Sequence, residues 1–157
     1  MSEIRRAQPA DIPDIIRLLY QVDMVHHNGR PDLFRGPATK YNEQELKAII
    51  ADDSTPVFVY ADDSGTVRGH AFCILQQHKG SAVLTDIRTL YIDDICVDEA
   101  CRRQHIGERL YRTVLDHARA LRCYNVTLNV WTCNPAAQAF YEKCGMKPQK
   151  IGMETIL

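Results

Sequence analysis

The chain lacks any marked excess of charge, because 19 Lys and Arg residues nearly balance 20 Asp and Glu residues and leave a formal net charge of −1 at pH 7. Proteins that bind nucleic acid or an anionic membrane surface usually carry a basic excess, so neither partner is expected. No apolar run approaches the ~20 residues that a membrane-spanning helix needs. The nearest approach to a basic cluster is the pair Arg102 and Arg103, which calls for a local explanation.

The sequence also lacks a CxxC pair, and its first residues are too polar for a secretory leader. Six cysteines are present, mostly in apolar surroundings such as residues 71–75. We therefore expect reduced, buried thiols rather than disulfides, and a cytoplasmic protein. The neighbouring His26 and His27 predict no metal site, because adjacent residues rarely hold one ion without further ligands.

What is present is typical of one globular unit. The 157 residues are 45% apolar and 25% charged, which suits a single domain spanning residues 1–157 with one buried core. No internal repeat, low-complexity tract or long linker interrupts it.

Hydrophobic periodicity and turn residues predict the order β-α-α-β-β-β-α-β-α-β. The predicted strands are residues 2–7, 57–61, 66–77, 81–97 (as one strand or two), 125–131 and 155–157. Four helices are predicted. The first runs from Asp11 to about Val25, the second covers residues 43–51, and the fourth runs from Pro135 to about Cys144. The third has an apolar face marked by Ile106, Leu110, Val114, Ala118 and Leu121. Residues 26–32 are predicted as a loop. This order predicts an α/β or α+β domain with a mixed sheet and helices on its faces.

The strongest local signal lies in residues 91–107, where a strand leads through a short polar loop directly into an amphipathic helix. Free N–H groups at a helix start and the helix dipole favour an anion there. Arg102 and Arg103 add positive potential, so a pyrophosphate is the natural occupant. A plain surface loop with two solvated arginines explains the same residues equally well.

A second signal lies in residues 134–146, where Asn134 and Pro135 start a helix and Gly145 ends it. Helical spacing directs Phe140 towards the core and allows Tyr141 to point along its edge into a cleft. Taken alone, Tyr141 would be an ordinary half-buried aromatic residue.

Together the two segments resemble the GNAT superfamily of N-acetyltransferases. Its cofactor loop, [Q/R]-x-x-G-x-[G/A], corresponds here to Arg102-Arg103-Gln104-His105-Ile106-Gly107. The helix pattern N-x-A-A-x-x-F-Y-x-x-x-G-[FM] also matches, and the likeness is close over residues 92–146. The segment Asp93-Asp94-Ile95-Cys96-Val97 is most similar to the spermidine/spermine-type branch. One departure is His105, which stands where the family has its first loop glycine; if the position needs a positive φ, histidine adopts it with some strain.

The resemblance implies a mixed, mostly antiparallel sheet of about six to seven strands flanked by about four helices. It implies acetyl-CoA as co-substrate and no metal. Loop amides would hold the pyrophosphate, and the pantetheine arm would pair with the strand before the loop, where a bulge would splay the sheet and free an N–H for the acetyl carbonyl. The residues implied in cofactor binding are Ile95, Cys96, Val97, Arg102, Arg103, Gln104, His105, Ile106, Gly107, Glu108, Asn134 and Ala137.

The resemblance also implies two catalytic residues. Asp93 matches the acidic position that takes the proton of the amine, through water, and Tyr141 matches the phenol that protonates or stabilises the leaving thiolate. Asp94 is a second candidate, although in a regular strand its side chain faces the other side. A covalent acetyl-cysteine route through Cys96 is the competing mechanism, but no basic residue nearby in sequence lowers its pKa.

The implied reaction is direct transfer of an acetyl group to the primary amine of a small molecule, such as a polyamine, an amino acid or an amino sugar. A protein or peptide amine is the alternative acceptor, and a non-catalytic acyl-CoA sensor is the alternative class. The acceptor pocket is expected near His26, His27, Asp32, Glu43 and Glu45, although ordinary surface charges explain these residues as well. The resemblance further implies a homodimer, to which residues 151–157 would contribute.

Overall fold

The computed structural model describes all 157 residues. Five strands form one sheet in the order β1-β2-β3-β4-β5. They are β1 (Glu3–Arg6), β2 (Val57–Ala61), β3 (Val67–Gln77), β4 (Arg88–Val97) and β5 (Asn125–Leu128). Neighbouring strands from β1 to β4 are antiparallel, whereas β5 runs parallel to β4. The predicted mixed, mostly antiparallel sheet is confirmed, with five strands instead of about six to seven.

Four α-helices accompany the sheet, as expected: α1 (Ile12–Gly29), α2 (Glu43–Ala51), α3 (Ile106–Ala120) and α4 (Pro135–Lys143). Sequence signals explain their ends. Asn42 and Glu45 form a reciprocal capping box at the start of α2, and Asn134 caps α4 ahead of Pro135. None of these helices combines the length and apolar character needed to span a bilayer.

The sheet separates two apolar cores. On one face, α1 and α2 cover a cluster that includes Ile15, Leu18, Leu46, Val59 and Phe72. On the other face, α3 covers a cluster that contains residues from β2, β3 and β4 together with its own Ile106, Leu110, Tyr111, Val114 and Ala118. The helical face expected from residues 106–121 is therefore the buried face of α3.

Three predicted boundaries are wrong. Helix α1 continues through His26 and His27 to Gly29, because nothing breaks it before Gly29, and the N–H of Arg30 still bonds the His26 carbonyl at 2.8 Å. Strand β4 begins at Arg88, so residues 81–87 stay outside the sheet. Strand β5 ends at Leu128, because β4 offers it ladder partners only as far as Ile92.

The C-terminal segment forms no strand within this chain, so the predicted strand at residues 155–157 is absent. Backbone N–H and C=O groups need a partner strand to form a ladder, and none lies beside this segment. An ion pair between Arg30 and Glu154 joins it to the end of α1. Its apolar side chains remain outside the cores, with Ile151 83% and Met153 91% exposed.

Candidate active site

A β-bulge in β4 is the centre of the candidate site. The pairing of β3 with β4 shifts by one residue where Phe72 faces Asp94 and Cys73 faces Ile92, which leaves Asp93 as the extra residue. A bulge bends the strand and redirects side chains. The bulge expected in this strand from the resemblance is confirmed.

The bulge brings two carboxylates to the same face of the sheet. Asp93 receives hydrogen bonds from Lys40 Nζ at 2.7 Å and from the Tyr41 hydroxyl at 2.6 Å. Asp94 contacts the buried ring of His70, with 2.6 Å between Oδ2 and Nε2. Tyr41 and His70 each pack against Phe72 on the α1 side of the sheet. The expectation that Asp94 faces away was wrong, because it assumed a regular strand.

Beyond Ile92, β4 has a free edge. Its ladder with β5 covers only Thr89 to Ile92, so the backbone groups of residues 93–97 that point towards β5 have no strand partner. Ile95 and Val97, two of the residues implied in pantetheine binding, lie on this free stretch. An extended chain bearing amide groups can add to such an edge as a further strand.

Cys96 lies in the same stretch but points into the core. It is 9% exposed, and its Sγ lies 3.5 Å from the Leu18 carbonyl oxygen. Burial raises the pKa of this thiol far above its ordinary value, and Asp94 adds to the shift. A nucleophilic thiolate at Cys96 is therefore disfavoured.

The loop before α3 has the backbone of an anion cradle. Arg103 and His105 both adopt positive φ, 69° and 59°, and His105 is the left-handed N-cap of α3. The first helical bond joins the Arg109 N–H to the His105 carbonyl at 3.1 Å, so the N–H groups of Ile106, Gly107 and Glu108 lack helical partners.

The side chains around that loop leave its backbone accessible. Arg102, Arg103, Gln104 and His105 are all exposed. The His105 ring lies 3.4 Å from a Glu108 oxygen, and no side chain caps the helix. The positive φ considered for His105 from sequence is confirmed.

Helix α4 packs directly against the start of α3. A methyl group at Gly107 would lie 3.1 Å from Phe140 Cζ, a tight contact that would require the Phe140 ring to shift by a few tenths of an ångström. Phe140 was predicted to pack into the core, but it is only half-buried and lies outside both core clusters. The rings of Phe140 and Tyr141 lie with their centroids 5.2 Å apart. Asn134 uses its side-chain oxygen to cap the Ala137 N–H at 3.3 Å.

Tyr141 lies on α4 next to Phe140. Burial raises the pKa of its phenol above the ordinary value, and negative charge at Asp94 and the nearby Cys144 and Cys96 raise it further. Its hydroxyl makes no hydrogen bond within the protein and retains contact with solvent. A phenol of raised pKa holds its proton at neutral pH and can donate it to a stronger base.

Several residues expected at the acceptor pocket have structural roles instead. Glu45 caps α2, Glu43 pairs with Lys47, and Asp32 pairs with Arg30. Burial lowers the pKa of His26, while the charges of Asp94 and Asp23 oppose that shift. Its ring stacks on Phe34 at 5.0 Å, and Phe34 meets Trp131 edge-on at 5.0 Å.

Sequence reasoning missed Lys40, Tyr41 and His70. Lys40 and Tyr41 precede α2 in a loop with no recognisable motif. The one available signal for His70 is its place in the otherwise apolar run of residues 69–75, because a histidine there must find a buried partner.

Three features fit an extended thioester that carries phosphate groups and lies beside an acidic cleft. They are the anion cradle at the start of α3, the free edge of β4 and the Tyr141 phenol on α4. The family model "Acetyltransferase (GNAT) family" matches residues 22–146. The chain belongs to the GNAT family of acetyltransferases, whose members use acetyl-CoA, and it is an N-acetyltransferase.

Individual relatives support that assignment. The chain is similar to glucosamine 6-phosphate N-acetyltransferase 1 of Oryza sativa subsp. japonica, with 31% identity over 97% of this chain and 87% of the relative. It matches a crystal structure of a mutant BH1408 protein from Bacillus halodurans, with TM-score 0.95, 30% identity and 99% of each chain covered. An aminoglycoside N-acetyltransferase in complex with CoA, at 13% identity over 99% of this chain and 98% of that chain, shares the fold with TM-score 0.74.

Proposed function

We propose that this N-acetyltransferase transfers the acetyl group of acetyl-CoA directly to the primary amine of a small amino sugar. The observation that carries the proposal is the bulge in β4, which places Asp93 and Asp94 on one face beside a free strand edge and near Tyr141. These carboxylates would supply the base for the amine, and Tyr141 the acid for the sulfur.

The cofactor residues of the proposal fall into three groups. The free N–H groups at the start of α3, with Arg102, Arg103, Gln104 and His105, suit the pyrophosphate. The free edge at Ile95, Cys96 and Val97 suits the pantetheine amides through backbone groups. Asn134 and Ala137 border the slot at the start of α4. Acetyl-CoA, when bound, supplies an acyl thioester as the electrophile.

Tyr141 is the proposed acid for the departing sulfur. Its accessible hydroxyl holds a proton at neutral pH, since burial raises its pKa. The alternative through Cys96 is disfavoured by the burial of that thiol and its own raised pKa. Direct attack by the amine within a ternary complex is therefore the proposed route.

The acceptor cleft combines acid and aromatic surface. A protonated amine is attracted to the carboxylates at the bulge, and the Phe34 and Trp131 rings offer flat apolar surface to a sugar ring. Trp131 keeps 45% of its surface exposed. The similarity to a glucosamine 6-phosphate N-acetyltransferase favours an amino sugar over the polyamine suggested by the cofactor segment.

We also propose that the protein is a homodimer in the cytoplasm. The tail carries four strongly exposed apolar side chains and unpaired backbone groups, which a second copy could cover by strand pairing. These side chains are Ile151, Met153, Ile156 and Leu157.

The test is thiol release from acetyl-CoA with a panel of acceptors: glucosamine 6-phosphate, glucosamine, spermidine, an amino acid and a lysine peptide. We expect release with the amino sugars and none with N-acetylglucosamine 6-phosphate, whose amine is blocked. Release with spermidine or the peptide alone would overturn the acceptor assignment. CoA binding in calorimetry without release from any acceptor would favour an acyl-CoA sensor.

A further inference from the structure

The two aspartates at the bulge differ in the oxygen atoms that they leave free. Both oxygens of Asp93 are engaged, Oδ1 by Lys40 and Oδ2 by Tyr41. Asp94 has Oδ2 against His70, whereas its Oδ1 has no partner in the protein and is not buried. Among the four oxygens of the pair, Asp94 Oδ1 is the one without a hydrogen-bond partner in the protein.

Asp93 is tied to the loop before α2. Lys40 Nζ lies 2.7 Å from one of its oxygens, and the Tyr41 hydroxyl donates to the other. Asp93 therefore serves as the anchor of the loop that carries Lys40 and Tyr41.

His70 is the group that holds Asp94. Its side chain is completely buried, and it lies opposite Cys96 in the ladder between β3 and β4. A carboxylate can only accept a hydrogen bond, so Nε2 carries the hydrogen in this contact. The other ring nitrogen, Nδ1, has no partner and is buried, so the contact with Asp94 is the one hydrogen bond that the ring makes.

We propose that Asp94 is the catalytic base of this enzyme, acting through Oδ1, and that His70 is its positioning residue. This inference rests on the proposed function. Asp94 Oδ1 takes one proton from the ammonium group of the acceptor, directly or through one water, while His70 continues to donate to Oδ2. The acceptor nitrogen bonds to the acetyl carbon, and the carbon–sulfur bond breaks. Tyr141 gives its proton to the departing sulfur, and the nitrogen then gives its second proton to Tyr141, which restores the phenol. Asp94 then releases its proton to solvent.

The first test compares Asp94→Asn with Asp93→Asn in thiol release with glucosamine 6-phosphate. We expect Asp94→Asn to lower kcat by about 100-fold or more, the usual size of general-base catalysis, while calorimetry shows unchanged CoA binding. The loss for Asp93→Asn is expected to be smaller and to appear largely in KM for the acceptor. Wild-type kcat in Asp94→Asn, or a larger loss of kcat in Asp93→Asn, would overturn the assignment of the base.

The second test addresses His70 with a conservative and a non-conservative variant. His70→Leu removes the donor, and we expect kcat to fall by about 10- to 100-fold, the size of a hydrogen bond to a charged group. His70→Gln keeps an N–H that can reach Asp94, so we expect it to restore most of the rate. In an Asp94→Asn background, His70→Leu should cause no further loss, because the two residues act as a unit.

His117 provides the matched control. It is the other histidine with an unpaired buried ring nitrogen, but it lies on α3 against Phe58, on the opposite face. We expect His117→Leu to keep the wild-type kcat. Equal losses of kcat in His70→Leu, His70→Gln and His117→Leu would show a merely structural role and overturn the inference. If the wild-type enzyme itself releases no thiol, the proposed function fails, and the roles of Asp94 and His70 fail with it.

Discussion

At the scale of single residues, the positions that could be predicted are those defined by a motif. Tyr141 and Gly107 belong to short patterns in which spacing alone indicates their place, and in the structure the Phe140 ring beside Tyr141 packs against Gly107. The orientation of Asp94 could not be predicted, because one extra residue in β4 reverses the alternation of side chains. His70 and Tyr41 could not be predicted either, since their partners are distant in sequence.

The Tyr141→Phe variant tests the proposed acid, because it removes only the phenol oxygen. The change removes the donor and leaves the ring packed against Phe140, so we expect kcat to fall by about 100-fold or more with CoA affinity unchanged. Steady-state kinetics and calorimetry measure the two quantities. Tyr124→Phe, at an exposed site, is the control; a wild-type kcat in Tyr141→Phe would remove this residue from the mechanism.

His105 offers a test of backbone conformation. Its φ of 59° suits glycine and is strongly disfavoured for a β-branched residue. We expect His105→Gly to keep CoA affinity and His105→Val to weaken it about tenfold, since about 1–2 kcal/mol is needed to hold the loop. Calorimetric titration with CoA measures both. A greater loss in the glycine variant would show that the imidazole, rather than the backbone, makes the contact.

At the scale of elements, most helices and strands follow from sequence, and the errors in the strands have one cause. Apolar periodicity and caps defined α2, α3 and α4 well, because these signals are local. Residues 81–87, 129–131 and 155–157 look like strands but form none. Strand formation depends on a neighbour, and no local pattern shows whether a neighbour is present.

One carboxylate joins three elements just before the cofactor loop. Asp98 is buried and receives hydrogen bonds from Arg17 and Gln21 of α1, from Arg68 of β3 and from the Ala100 N–H. Burial alone would raise its pKa, but these bonds outweigh that effect and lower it to about 2. The folded protein therefore favours the ionised form of Asp98.

The stability from Asp98 depends on pH in a defined direction. The pKa of Asp98 is lower in the folded state than in the unfolded state. Its contribution to the free energy of unfolding is therefore complete above the unfolded pKa of about 4, and it is lost as pH falls towards 2. We expect about 2 kcal/mol from this group at pH 7. Urea unfolding of Asp98→Asn should show a deficit of at least this size at pH 7 that narrows below pH 4. Asp116→Asn, at an exposed ion pair on α3, is the control; an equal deficit there would contradict the assignment.

At the scale of the whole molecule, the C-terminal segment is the part that a single copy leaves without a partner. Four apolar side chains at its end are at least three-quarters exposed. We expect light scattering to show a dimer. The Ile156→Asp variant should shift the equilibrium towards the monomer, because burying a charge in a dry interface costs free energy. Val83→Asp, at another exposed apolar site, should leave the dimer unchanged. A monomeric wild-type protein would contradict the expectation.

The attachment of the loop before α2 has a consequence for how new specificities could arise. The loop is held at its near end, where His27 Nδ1 lies 2.7 Å from the Phe34 carbonyl oxygen, and at its far end by the bonds of Lys40 and Tyr41 to Asp93. Between these anchors the backbone is fixed as well, because a methyl group at Gly36 would lie 2.6 Å from His27 Cγ and the Ala38 N–H donates to Asp23 at 3.0 Å. Evolution or design would therefore change this loop by exchanging exposed side chains on a backbone that keeps its course, rather than by inserting or replacing whole segments.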